Sequence, residues 1–129
     1  MEKEFVPYEQ ALALKELGFD NICFGYYDLF NNKIVSTFNV NNSNTELKAP
    51  LFQQTFRWFR EKYSLNHFID STRNEGNYKY SIYKREKSES VFPYKWNVQY
   101  YSNIDCTTYE EAELECLKKL IEICKNKKN

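Results

Sequence analysis

Cationic and aromatic side chains that suit a phosphate-bearing ligand lie together in segment 49–63, APLFQQTFRWFREKY. Arg57 and Arg60 carry planar donor groups that bind phosphate or carboxylate through paired hydrogen bonds. On a helical wheel, Gln53 falls on the same polar side, and Trp58 falls at the border of the apolar side. We predict that these four side chains help to form a binding site. The alternative is a solvated helix face on which Arg57 pairs with the glutamate four residues later.

Aromatic side chains on the predicted strands form the second set of candidates. Aromatic rings stack on bases and sugars, and they are also favoured in protein interfaces. We predict that Tyr27 and Tyr101 stack on a ligand beside the arginines. Burial in a dimer interface and burial in the core are the alternatives for this set. The strand aromatics are Tyr26, Tyr27, Tyr78, Tyr80, Tyr83, Trp96, Tyr100 and Tyr101.

The chain carries no recognisable catalytic or metal-binding motif. His67 is the only histidine, so a Ser-His or Cys-His dyad must use it. We expect His67 to be exposed or to cap a strand. Cys23, Cys106, Cys116 and Cys124 form no CxxC pair and have no histidine at zinc spacing, so we expect buried, reduced thiols. The sequence therefore predicts no metal, no cofactor and no enzymatic activity.

One carboxylate lies inside an apolar stripe of the last predicted helix. Glu113 is flanked there by Tyr109, Leu117 and Leu120. We expect it to reach water because it is near the helix start. A carboxylate held in a pocket is the alternative.

The composition is that of one folded domain without a polyanionic partner. The chain has 129 residues, 42% of them hydrophobic, which is ordinary for one globular domain. Eighteen basic residues balance 18 acidic ones, and this argues against duplex nucleic acid, whose binding needs neutralised phosphates. No apolar run is long enough to span a membrane, and the first ten residues lack a signal-peptide pattern. We therefore expect a cytoplasmic protein.

Hydrophobic periodicity predicts a single α+β domain over residues 1–129. The element order is α-β-β-α-β-β-β-α, with a mainly antiparallel sheet of about five strands packed against the helices. Residues 1–6 are predicted to form an arm, and 125–129 a basic tail. The predicted helices are 7–17, 49–63 and one that begins at 107 or 108; the predicted strands are 22–30, 33–40, 67–71, 78–85 and 93–103. A hairpin turn is predicted at Asn31–Asn32 and a polar loop at 41–48.

Two patterns define faces within these elements. Segment 49–63 is amphipathic, and its buried side includes Phe52, Phe56 and Phe59. In the last predicted strand, strict alternation places Trp96 and Tyr100 on one face, together with Tyr94 and Val98, and it places Tyr101 on the other face.

Three segments resemble a widespread family of small uncharacterised proteins carried by tailed phages and prophages of Bacteroidales-type gut bacteria. The similar segments are MEKEFVPYEQALALKELGFDNICFGYY, APLFQQTFRWFREKY and TYEEAELECLKKLIEI, and the resemblance covers roughly residues 1–27, 49–64 and 107–125. LFQQxFRWFREKY is specific, whereas TYEEA-type helices also occur in HicB-like antitoxins. The resemblance implies an accessory phage protein expressed in bacterial cytoplasm, and it transfers no functional residue.

A small neutral phage protein without catalytic residues is expected to act by binding. The first hypothesis is a sponge that sequesters a nucleotide immune signal and so suppresses host defence. The alternative is an adaptor or inhibitor that binds a host protein through an aromatic strand face or edge. Aromatic residues make up 18% of the chain, which is hard to bury in one small domain, so we also predict a homodimer or higher homo-oligomer.

Overall fold

The computed structural model describes residues 4–28, 33–40, 47–72, 75–89, 91–102 and 105–128. The elements in chain order are α1 (Tyr8–Glu16), β1 (Cys23–Tyr27), β2 (Ile34–Val40), β3 (Leu47–Lys48), α2 (Phe52–Tyr63), β4 (Leu65–Ser71), β5 (Tyr78–Lys87), β6 (Tyr94–Tyr101) and α3 (Tyr109–Lys128). The α+β class is confirmed, and β3 is added to the predicted order. The predicted turn Asn31–Asn32, most of the predicted loop 41–48, residues 1–3 of the arm and residue 129 of the tail lie outside the described residues.

The predicted arm and the predicted tail both belong to the folded structure where they are described. Phe5 and Val6, predicted to belong to an arm, are buried, and the Val6 N–H donates to the carbonyl of Pro50 at 2.8 Å. At the other end, α3 continues to Lys128, so the described part of the predicted tail is helical. Residues 4–6 thus help to hold the start of α2 in place.

Helix α2 forms because segment 49–63 places its large aromatic side chains on one side. Phe52, Phe56 and Phe59 are buried, as predicted. The helix ends at Tyr63, and the next residue, Ser64, caps it with a left-handed φ of 57° while its N–H donates to the carbonyl of Phe59. This turn lets the chain enter β4 at the next residue.

The predicted single sheet is wrong, because the six strands of the described residues form two separate antiparallel sheets. One has the order β2-β1-β3 and the other β4-β5-β6. β3 lies in a segment predicted to be a polar loop, and it pairs Lys48 with Tyr26 and Leu47 with Tyr27. Two residues are too few to show the alternation by which a strand is recognised.

The β4-β5-β6 sheet has one covered face and one open face. Leu65, Tyr80 and Ile82 are buried on the inner face, where α2 and α3 pack. The buried side of α3 includes Cys116, Leu117, Leu120 and Cys124, in agreement with the predicted stripe. No described helix packs on the opposite face, which we call the outer face.

A β-bulge decides which side chains of β6 reach the outer face. Ile82 pairs with Tyr100, whereas Tyr83 pairs with Val98, so Gln99 is an extra residue on β6. The prediction that Tyr100 shares a face with Trp96 is therefore wrong. Tyr100 stacks on Tyr80 on the inner face, with ring centroids 5.6 Å apart. Tyr101 lies on the outer face instead.

Replacing Phe56 with alanine tests the role of α2 in the core. Phe56 is fully buried and its ring stacks on His67 at 3.7 Å. We expect Phe56→Ala to lower the free energy of unfolding by about 3–5 kcal/mol, because it leaves a cavity. Urea denaturation followed by circular dichroism measures this loss. Arg57→Ala, one residue away but exposed, is the control and should leave the midpoint nearly unchanged; equal losses would contradict the assignment.

Candidate functional site

Large apolar side chains lie together on the outer face of the β4-β5-β6 sheet. We call this group the outer patch: Phe68 on β4, Tyr83 on β5, and Trp96, Val98 and Tyr101 on β6. The Phe68 ring meets that of Tyr83 edge-on at 5.3 Å and lies 6.4 Å from that of Trp96. Phe68, Trp96 and Tyr101 are nevertheless 45%, 51% and 57% exposed. The patch is therefore held together by mutual contact and remains accessible.

Strand register brings these side chains together around one small residue. Ser81 on β5 lies opposite Phe68 on one side and opposite Tyr101 on the other. Because its side chain is short, the neighbouring rings surround an open depression of about 290 Å³. The lining of that depression consists of Phe68, Asp70, Ser81, Tyr83 and Trp96.

Polar groups border the patch. The Tyr83 hydroxyl donates to that of Tyr101 at 3.1 Å, and this bond raises the pKa of Tyr101. The guanidinium of Arg85 lies 3.7 Å above the Tyr94 ring. Lys79 pairs with Asp105 at 3.4 Å. The surroundings of the patch thus supply hydrogen bonds and both signs of charge.

A second depression of about 220 Å³ continues along the sheet from the first. It shares Asp70, Ser81 and Tyr83 with its neighbour and extends to Lys79 and Tyr101. The Asp70 carboxylate can therefore accept hydrogen bonds from a group that sits in either depression.

The arginines predicted as ligands lie away from the outer patch. Arg57, Arg60 and Gln53 are exposed on α2, which packs on the inner side of the sheet. Arg57 donates to Glu61 at 2.8 Å, which is the helix pairing named above as the alternative. The structure does not bring these residues near Tyr101.

Two of the predicted stacking residues belong to the core. Trp58 and Tyr27 are 7% and 4% exposed. The Trp58 ring packs edge-on against Phe19 at 5.4 Å, and the Tyr27 hydroxyl donates to the carbonyl of Val6 at 2.6 Å. Neither ring offers an open face to a ligand. Of the six predicted site residues, only Tyr101 is part of the outer patch.

Sequence reasoning did not select Phe68, Asp70 and Ser81. Their signal was the alternation of β4 and β5, which indicates shared faces within a strand. The alternation alone does not determine which strands pair or in which register they pair. Tyr83 and Trp96 were among the strand aromatics, without an assigned face in common.

His67 is held neutral by its surroundings. It was expected to be exposed or to cap a strand, but its ring lies on the inner face against Phe56. Burial, with a smaller contribution from the positive charge of Arg60, lowers the pKa of His67 from 6.5 to about 4. No described hydrogen bond links it to a serine or cysteine, so no dyad is formed within the described residues.

Burial also shifts cysteine thiols and one carboxylate toward their neutral forms. All four cysteines are buried and none is in a disulfide, and burial raises the pKa of Cys23 to about 11. Glu113 is buried, contrary to the expectation that it reaches water; burial and then the charges of Glu4 and Glu110 raise its pKa. Over the described ranges, no group of three or more His, Cys, Asp or Glu side chains is placed to hold a metal ion.

Among the described residues, no helix combines the length and apolar character needed to cross a bilayer. No family model matches the chain, and neither a curated protein nor a solved structure was found to match it. The resemblance to phage proteins therefore stays a prediction, and the surface geometry described above is the basis for a function.

The lowered pKa of His67 makes stability depend on pH. Between pH 6.5 and 4 the unfolded chain binds a proton at His67 that the folded chain does not, so the free energy of unfolding falls as pH drops. We expect His67→Phe, which keeps an aromatic ring on Phe56, to remove roughly 1–3 kcal/mol of this fall. Urea denaturation at a series of pH values measures both proteins. Parallel curves for wild type and variant would refute the assignment.

Proposed function

We propose that the chain is a non-catalytic binding protein that holds a protein partner on the outer patch. The observation that carries this proposal is the exposure of Phe68, Trp96 and Tyr101 in one contiguous group. Single exposed apolar side chains are common, whereas contiguous exposed apolar patches mark interaction sites. This favours the adaptor hypothesis over the sponge.

The shape of the patch supports a protein partner. Small-molecule sites enclose most of their ligand, whereas the depression over Ser81 is open. The centre of a protein interface is rich in tyrosine, tryptophan and phenylalanine and poor in charge, with a polar rim. Phe68, Tyr83 and Trp96 supply the first feature, and Arg85 with Lys79 at the margin supplies the second.

The positions of the predicted cations support the same choice. A nucleotide sponge needs cations beside its stacking rings, but Arg57 and Arg60 lie on α2, on the other side of the sheet. If the chain is a phage protein, as the resemblance implies, the partner is a protein of the bacterial host.

A nucleotide-like molecule is the second candidate, and the depression itself favours it. Phe68 and Trp96 can stack on a base, while Asp70 and Ser81 offer hydrogen-bonding groups for its edge. Lys79 lines the adjoining depression, where a phosphate can reach it. This form of the sponge hypothesis uses other residues than Arg57 and Arg60.

Two matched serine variants test the outer patch. Phe68→Ser removes a ring from the patch, and Phe24→Ser makes the same change at a side chain 51% exposed on β1 of the other sheet. Immobilised wild type and both variants are exposed to bacterial lysate, and captured proteins and retained small molecules are quantified by mass spectrometry. We expect at least a tenfold loss of the specifically captured protein for Phe68→Ser only, because central aromatic residues carry about 2 kcal/mol or more.

The outcomes separate the two candidates. If wild type and Phe24→Ser retain a nucleotide-sized mass that Phe68→Ser does not, the ligand of the outer patch is the nucleotide-like molecule and not a protein. Capture that survives Phe68→Ser unchanged, while circular dichroism shows the variant folded, overturns the patch as the binding surface.

A further inference from the structure

Among the described strands, β6 lies at the edge of its sheet, and we call its unpaired side the free edge. It pairs with β5 in the order β4-β5-β6, and none of the described strands pairs with its other side. A strand in this position presents N–H and C=O groups that can hydrogen-bond to another strand. The register identifies the residues that present them.

One backbone bond fixes the direction of these groups. The Ser88 N–H donates to the carbonyl of Pro93 at 2.9 Å, immediately before β6 begins. Hydrogen-bonded and non-hydrogen-bonded pairs alternate along antiparallel strands. Counting from Pro93, the backbone groups of Tyr94, Trp96 and Val98 point away from β5, toward the free edge.

Strand β5 provides an independent check. Arg85 lies opposite Trp96, yet its N–H donates at 3.0 Å to the carbonyl of Ser64, on the β4 side. The pair Arg85–Trp96 is therefore of the non-hydrogen-bonded kind, and the backbone groups of Trp96 are not used within the sheet.

From Tyr94 to Val98 this edge has few of the features that usually prevent strand pairing. Natural edges are protected by charges, prolines or bulges. From Tyr94 to Val98 the strand carries one charge, Lys95, and no proline, and the bulge at Gln99 comes only after this stretch. Trp96 and Val98 present both free backbone groups and exposed apolar side chains.

We infer that a second copy of this chain pairs with β6, antiparallel, about a two-fold axis at Asn97. In this register Trp96 of one copy lies opposite Val98 of the other, so their outward groups form two backbone hydrogen bonds, and symmetry repeats them. The side chains of each pair share the outer face, and an aromatic ring beside a β-branched side chain is a favourable cross-strand pair. The result is one sheet of six strands.

Charge and symmetry support a second copy as the occupant. The 18 basic and 18 acidic residues give a net charge of zero, so two copies do not repel each other as whole molecules. A two-fold pairing uses the same edge on both copies and closes, so it forms a dimer and no fibre.

The connection that precedes β6 adds apolar surface near this edge. Val91 and Phe92 are 95% and 74% exposed in the connection between β5 and β6. The bond from the Ser88 N–H to the carbonyl of Pro93 closes this connection, so it lies at the end of β6, near the strand that pairs there.

Two substitutions at one position test the edge. The Val98 N–H points away from β5, so Val98→Pro costs the sheet no ladder bond, whereas it removes two of the four bonds between copies. Val98→Thr keeps the N–H and the branched shape and is the matched control. Sedimentation velocity should give twice 15.6 kDa for wild type and for Val98→Thr. Val98→Pro should raise the dissociation constant at least about 30-fold.

A third variant keeps the test decisive if Val98→Pro does not fold. Asn97→Lys places like charges opposite each other at the axis, while its amine can still meet Glu86, the present partner of Asn97. We expect a folded monomer. A wild type that stays at 15.6 kDa at millimolar concentration, or a folded Asn97→Lys that dimerises like wild type, overturns the inference.

The function proposed above is tested separately. Phe68 is on β4, at the far side of the sheet from the free edge, so Phe68→Ser should leave the dimer mass unchanged. Capture that survives Phe68→Ser while the dimer stays intact overturns the proposed function alone. A monomeric wild type that still captures its partner through Phe68 overturns the dimer alone.

Discussion

Burial of the aromatic side of α2 is the constraint on which the rest of the structure depends. Trp58 packs edge-on against Phe19, between α1 and β1, and Phe56 stacks on His67 of β4. A hydrogen bond also connects α2 to the segment before β1, since the Gln54 side chain donates to the carbonyl of Ile22 at 2.6 Å. The two sheets share no strand pairing among the described residues, so contacts through α2, together with those of α1, join them. The rings that join them are consequently unavailable to a ligand.

The same constraint leaves one sheet face open. α2 and α3 cover the inner face of β4-β5-β6, and α1 packs against α3 and β3. None of the three described helices therefore covers the outer face. Rings of Phe68, Tyr83 and Trp96 remain there and reduce their exposure only by contacting one another. Exposed rings contribute little to the stability of the monomer, because apolar side chains stabilise a fold by being buried. This is why we propose that the surface binds a partner.

The sequence predicted features that repeat along the chain and missed those that depend on pairing. The periodicity of α2 and α3 identified their buried sides, because each helix turn repeats the pattern. The division into two sheets depends on which distant strands meet, and β3 contributes only two residues. The position of Tyr101 depends on one extra residue, Gln99, which reverses the faces beyond it. Trp58 at the border of the apolar side was misread because Phe19, distant in sequence, covers it.

The outer patch and the free edge of β6 meet in Trp96 without competing for it. In a strand, side chains stand roughly perpendicular to the sheet, whereas backbone hydrogen bonds lie within its plane. The Trp96 ring can therefore contact a partner above the sheet while its N–H and C=O bind a neighbouring strand. A two-fold axis perpendicular to the sheet keeps both outer patches on the same side. Pairing at the edge thus creates one larger aromatic surface from two, and a partner that spans both patches gains from their fixed spacing.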